Sequence, residues 1–222
     1  MQPIDFPDPA TADEDGIVAI GGNLLPETLL AAYRKGIFPW PVPGYPKKFP
    51  YLTWFSPDPR GILEFEDLHI PRSLKKAINR SDYTYSIDKN FKNVIGACKN
   101  VPRQEKGTWI TPDIVEAYIQ FHQVGHAHSV EVWDGPDLVA GLYGVDAFGV
   151  FAGESMFTLV DDGSKLALMY FIEHLKARGA TWIDIQMVTP HMEAMGGKLI
   201  RRDAFLTRLA QTQALDLRLF DR

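Results

Sequence analysis

Between residues 38 and 59 the chain holds seven prolines (39, 41, 43, 46, 50, 57 and 59) and seven aromatics (Phe38, Trp40, Tyr45, Phe49, Tyr51, Trp54 and Phe55). Proline fixes φ and has no N–H to give, so a run this dense excludes regular helix and central strand. It is also too apolar for a floppy linker. The segment predicts a stiff loop packed on the rest of the protein. It ends a small N-terminal domain, residues 1–62, and leaves 63–222 for a second domain. Before the run, 26–35 reads as a helix: Pro26 suits the first position, Leu29, Leu30 and Tyr33 supply a stripe, and Gly36 suits the stop.

Patterning after residue 62 alternates in type. Helices are expected at 71–79 and 89–99, with a short strand at 83–87 between them. Thr111 caps a further helix, with Pro112 at its first position and Gly125 at its end. Strands follow at 129–133, 138–145 and 148–152. Ser164 caps the clearest helix, whose apolar residues fall at 168, 171, 172 and 175 before Gly179. A strand at 181–186, a helix at 202–211 and a last strand at 215–220 complete a β-β-β-α-β-α-β order. The fold class is therefore mixed α/β (α+β), with a helix crossing over a mixed sheet.

The chain starts without a basic segment or apolar run, so no signal peptide is expected, and no stretch approaches a membrane span. One cysteine, Cys98, rules out an internal disulfide and fits a reducing, cytoplasmic setting. The net charge of −5 argues at first against a nucleic-acid partner. Its distribution argues otherwise. From Arg72 to Lys106 nine Lys/Arg stand against three acids, a local +6 that leaves −11 for the remainder. Such a segment is a phosphate footprint or a solvated helical face.

Seven stretches then occur in order: Gly21-Gly22-Asn23-Leu24, residues 32–40 (AYRKGIFPW), 54–60 (WFSPDPR), 107–111 (GTWIT), 125–131 (GHAHSVE), Gly153-Glu154-Ser155-Met156-Phe157 and Asp184-Ile185-Gln186. Collinear from about Gly16 to Phe205, together they resemble the leucyl/phenylalanyl-tRNA–protein transferase family. The resemblance implies a small N-terminal domain joined to a GNAT-like acyltransferase domain. It implies transfer of Leu or Phe, and Met less well, from aminoacyl-tRNA to proteins with N-terminal Arg or Lys, which marks them for degradation. The ester is already activated, so no metal, nucleotide or acetyl-CoA is needed. A monomer is expected.

On this resemblance Asp184 and Gln186 are the catalytic pair. At i and i+2 of a strand they leave the same face, so the Gln186 amide oxygen would accept from the attacking amine while Asp184 holds that amide. Spacing alone would equally give a strand-end Asp and a surface Gln. Ile185, where the family more often has Cys, is expected on the opposite face. Glu154 lies in an apolar run and needs a partner: an α-ammonium or the terminal ribose on the family reading, Arg201 or another base otherwise. Leu142, Phe151, Met156, Leu168 and Phe171 are candidates for the donor side-chain pocket by family position, though each also reads as core. Tyr33, Trp40, Trp109 and Tyr118 are candidates for stacking on the terminal adenine. Arg72, Lys75, Lys76 and Arg80 are the expected tRNA contacts.

Other readings are weaker. His126 and His128 share a strand face, yet no third ligand has recognisable spacing. Ser155 lacks the second glycine of a nucleophile elbow. An acetyl-CoA enzyme would need a pyrophosphate cradle where Asp161-Asp162-Gly163-Ser164 presents two acids. A non-catalytic binder of charged tRNA would tolerate loss of Asp184 and Gln186.

Overall fold

A computed structural model of the chain describes residues 5–40, 52–80, 82–101 and 108–221, without the side chains of Asn79 and Arg80. Near the N-terminus, β1 (Ile17–Ile20), β2 (Phe38–Pro39) and β3 (Thr53–Phe55) form an antiparallel sheet in the order β1-β3-β2. A central strand therefore does form at residues 53–55, against the expectation for the proline run. Thr53-Trp54-Phe55 contains no proline and keeps the donors a central strand needs, while Pro39 sits in an edge strand. Trp54 is buried, packs edge-on against Phe6 and gives its Nε1–H to the Gly21 carbonyl at 2.9 Å. The rest of the proline run, residues 41–51, lies outside the described residues. Helix α1 (Pro26–Arg34) starts at Pro26 as expected and buries Leu29, Ala32 and Tyr33. Gly36 follows at φ +72°, where a Cβ would lie 2.7 Å from the Phe205 ring.

The larger sheet has seven strands: β4 (Arg60–Glu64), β5 (Thr84–Ile87), β6 (Ala127–Asp134), β7 (Asp137–Asp146), β8 (Phe151–Thr158), β9 (Trp182–Gln186) and β10 (Lys198–Ile200). Their spatial order is β10-β4-β9-β8-β7-β6-β5. Helices α2 (Arg72–Arg80), α3 (Phe91–Asn100), α4 (Pro112–Gln123), α5 (Gly163–Ala177), α6 (Pro190–Ala194) and α7 (Arg202–Gln213) complete the fold. The β6-β7-β8-α5-β9 run is the expected mixed sheet with a crossover helix. Helix α5 covers one face, and α3 and α4 cover the other. Alternation along β7 divides the core accordingly: Leu142 packs with α5, whereas Tyr143 packs with α3 and α4. The core on the α3–α4 face also contains Leu29, Tyr33, Phe38 and Trp54, so the small sheet and α1 share it.

Several expected boundaries change. Strand β8 continues six residues beyond Ala152, to Thr158, because pairing with β7 (Leu142 opposite Met156, Tyr143 opposite Ser155) outweighs the weak strand character of Gly153 and Glu154. Ser164 is not the cap of α5. Asp162 holds that position in a left-handed conformation without a side-chain cap, and Ser164 is buried in the first turn. Residues 215–220 form no strand. Leu219 is buried against α5, and its carbonyl accepts from His174 Nε2 at 2.9 Å, so a side chain meets the backbone group that a neighbouring strand would have met. Strand β4 was not expected at all, since it opens with Arg60 and Gly61. No helix among the described residues is long and apolar enough to cross a membrane.

Candidate functional site

Strands β8 and β9 run parallel and are matched at Ala152 and Asp184. Beyond that point residues of both strands line a cavity of about 460 Å³. Its wall includes all five expected pocket residues, Leu142, Phe151, Met156, Leu168 and Phe171, together with Ile183, Ile185 and Met192. Trp40 and Trp109 also line it, their rings 5.1 Å apart and inclined by 34°. Its polar residues include Glu154 and Gln186, with Ser155, Ser164, Thr189 and His191. Glu154 and Gln186 are bonded to each other: Gln186 Nε2 donates to Glu154 Oε1 at 2.6 Å.

Glu154 rests on two tyrosines. Tyr33 donates its hydroxyl to Oε1 at 2.6 Å, Tyr118 reaches Oε2 at 3.4 Å, and the two hydroxyls are in hydrogen-bond contact. Both rings are fully buried, so neither offers a face on which an adenine could stack; this corrects the expectation for Tyr33 and Tyr118. Burial, and then the carboxylate beside them, holds both phenols well above their ordinary value, so both remain donors. Burial likewise raises the Glu154 carboxyl to about 7; Asp184 adds to the rise, while the bonds from Tyr33 and Gln186 and the nearby Arg60 oppose it. The partners of Glu154 are thus neutral donors. Arg201, the alternative partner, is paired with Asp203.

Asp184 does not hold the Gln186 amide. Its carboxylate takes a two-pronged bond from Arg60, Nε to Oδ1 at 2.9 Å and Nη2 to Oδ2 at 2.6 Å. Oδ1 also accepts the backbone N–H of Gln186 at 2.9 Å. Arg60 is 1% exposed, its Nη1 donates to the Gly36 carbonyl at 3.1 Å, and the rings of Phe38 and Phe205 lie 4.7 and 4.4 Å from its guanidinium carbon. Gln186 has φ +60°, which breaks the strand alternation, so Gln186 and Ile185 line the same cavity while Asp184 does not. Sequence reasoning missed Arg60. The available signal was its place at the end of the 54–60 stretch.

Helix α2 exposes Arg72, Lys75 and Lys76 while Leu74 is buried against the α5 face of the core, and none of the three basic groups pairs with an acid among the described residues. The side chain of Arg80, and Arg103 and Lys106, lie outside the described residues. His126 and His128 form no paired face. His128 bonds Asp88 through Nδ1 at 2.6 Å and stacks on Phe220, whereas the His126 ring lies against Phe121.

Family models for the leucyl/phenylalanyl-tRNA protein transferase and for its N-terminal domain match residues 62–210 and 22–58. Among curated relatives, the leucyl/phenylalanyl-tRNA–protein transferase of Aeromonas hydrophila subsp. hydrophila is 47% identical over 208 residues, 93% of this chain and 86% of that protein. The one from Sulfurimonas denitrificans is 49% identical over 205 residues, 92% and 87% of the two chains. One solved structure, L-PGS from Bacillus licheniformis, aligns over 81% of this chain and 66% of its own at 12% identity and a TM-score of 0.42.

Proposed function

This chain belongs to the leucyl/phenylalanyl-tRNA protein transferase family, and on that premise we propose that it transfers Leu or Phe, and Met less well, from aminoacyl-tRNA to the N-terminal Arg or Lys of a protein. The observation that carries this reading is the Gln186–Glu154 bond set into the wall of a mostly apolar cavity. In the reaction the acceptor's α-amine attacks the ester carbonyl, an amide C–N bond forms, and the ester C–O bond breaks to free the terminal ribose hydroxyl of tRNA. The amine must lose a proton on the way.

Gln186 and Glu154 divide that work. With its Nε2 committed to Glu154, the Gln186 amide offers Oε1 to an amine N–H and so aims the nitrogen lone pair. An amide oxygen is no base at neutral pH. Glu154, raised to about 7, is a carboxylate with the affinity to receive the proton near neutrality. The apolar residues of β7, β8 and α5 accept the Leu or Phe side chain, and Trp40 and Trp109 form a platform for the terminal adenine. The basic face of α2 contacts tRNA phosphates. The ester brings its own activation, so no cofactor enters the scheme. We take the protein to act as a monomer, and the single buried thiol suits a reducing cytoplasm. Products carrying a new N-terminal Leu or Phe are marked for degradation.

The test is direct. Labelled Leu-tRNA or Phe-tRNA is incubated with the protein and with peptides that begin in Arg or in Gly. Label should appear in the Arg peptide. Its absence from both peptides overturns the reading, and equal labelling of both overturns the acceptor assignment.

A further inference from the structure

We propose that Arg60 is a positioning residue for the transfer reaction, holding Gln186 in its turned conformation by way of Asp184. The inference rests on the role given to Gln186 above and adds to it the device that keeps Gln186 in place.

Asp184 is 3% exposed, forms no part of the cavity wall, and has three donors on its two oxygens. A carboxylate so enclosed does not touch the substrate, so whatever it contributes passes through the groups it binds. One of these is the backbone N–H of Gln186. There φ is +60°, and Met187 N–H closes a three-residue turn on the Ile185 carbonyl at 2.6 Å. A residue other than glycine keeps such a conformation only where its surroundings impose it. Without the turn, the Gln186 side chain would leave the strand in another direction from the one in which its Nε2 meets Glu154.

Two neighbours impose it. Asp184 Oδ1 grips the N–H on one side of the turn. On the other, β4 approaches so closely that a Cβ at Gly61 would lie 2.9 Å from the Met187 carbonyl carbon. Arg60, next to that glycine, fixes the grip. Its planar fork meets both Asp184 oxygens, and the Gly36 carbonyl and the Phe38 and Phe205 rings leave it no freedom to swing. A lysine would supply the charge without the fork.

Removing Arg60 alone would strand a buried charge, so the test uses neutral pairs. In Arg60→Gln/Asp184→Asn the new amide still presents an oxygen to the Gln186 N–H; in Arg60→Gln/Asp184→Leu nothing does. Transfer of Phe from Phe-tRNA to an Arg-initiated peptide is measured for both pairs, for Gly61→Ala and for wild type, alongside thermal unfolding. The Leu pair should lose about 10²-fold in kcat with both KM values within about 3-fold of wild type, and the Asn pair should recover at least about 10-fold of that loss. Gly61→Ala should lower kcat in the same KM-neutral way. A folded Leu pair with wild-type kcat overturns the proposal, and so does an Asn pair as slow as the Leu pair, which would mean that the charge of Asp184 matters and not its grip. If the Leu pair does not fold, Gly61→Ala decides: unchanged kcat overturns the proposal, and reduced kcat at constant KM upholds it. A wild type that transfers nothing overturns the functional reading itself, whereas an active wild type with unaffected variants overturns only the role of Arg60.

Discussion

Glu154 shows how much one buried side chain imposes on the protein around it. Burial raises its carboxyl from the ordinary 4.5 to about 7, so the folded state holds its proton more tightly than the unfolded chain. The associated stability is fully present below about pH 4.5 and is lost as pH rises through about 7. That interval corresponds to about 3 kcal/mol. Glu154→Gln cannot ionise. Relative to wild type it should therefore gain about 3 kcal/mol between about pH 4 and about pH 8 in parallel denaturant titrations; a constant difference across that range would deny the shift. Activity should move the other way, rising as Glu154 ionises. Glu154→Gln should keep only the rise due to the acceptor amine, whose own pKa is about 7.7–8.0, when single-turnover rates are plotted against pH. Gln186→Ala removes the group that aims the amine while leaving Glu154 on its tyrosines. It should slow transfer roughly 10²–10⁴-fold, and wild-type turnover by the folded variant would contradict the assignment.

Strands β7 and β8 and helix α5 build the proposed donor pocket as a unit. Leu142 and Met156 lie opposite each other in the antiparallel ladder, and both face the cavity beneath Leu168 and Phe171. Bulk added at either position fills the same depth from neighbouring strands. Leu142→Trp and Met156→Trp should each disfavour Phe more than Leu, because the ring needs the deeper volume. Changes of this size in an apolar pocket are worth about 1–3 kcal/mol, so the Leu/Phe ratio should shift roughly 10–200-fold without switching completely. Competition between the two charged tRNAs for one acceptor peptide measures it. A constant ratio in both folded variants would assign these residues to the core alone.

Charge matters over the molecule as a whole. The net charge is −5, yet the segment from Arg72 to Lys106 carries +6, and α2 turns Arg72, Lys75 and Lys76 to solvent. Attraction of a polyanion depends on this local field more than on the total. Lys75→Gln/Lys76→Gln should weaken tRNA binding and flatten the dependence of log K on log salt by about one unit for each phosphate that the protein no longer neutralises. An unchanged slope would move the footprint to another surface. The same variant should leave kcat at saturating tRNA untouched, since α2 packs on α5 and none of its residues lines the cavity.

Much of this was legible along the chain. Pro26 at the start of α1, the Thr111–Pro112 start of α4 and the β6-β7-β8-α5-β9 succession follow from capping chemistry and hydrophobic period, which act over a few residues and are written locally. The five apolar residues named from the family resemblance do line the cavity, but on sequence alone each reads equally as core, because a cavity for Leu or Phe is lined by the residue types that build a core. What could not be read is whatever depends on a distant partner. Arg60 and Asp184 are 124 positions apart, and neither type of residue announces the other. Tyr33 and Tyr118 read as stacking platforms until folding buried both against Glu154. The shared face expected of Asp184 and Gln186 assumed regular alternation, which holds only while the backbone stays extended. Once β4 and β9 pair, Asp184 binds the Gln186 N–H, Gly61 admits the turn, and the side-chain amide meets Glu154. Local sequence chose the elements and the chemistry available to them; the pairing of β4 with β9 chose which partners that chemistry met, because contacts across such separations exist only after the chain has closed on itself.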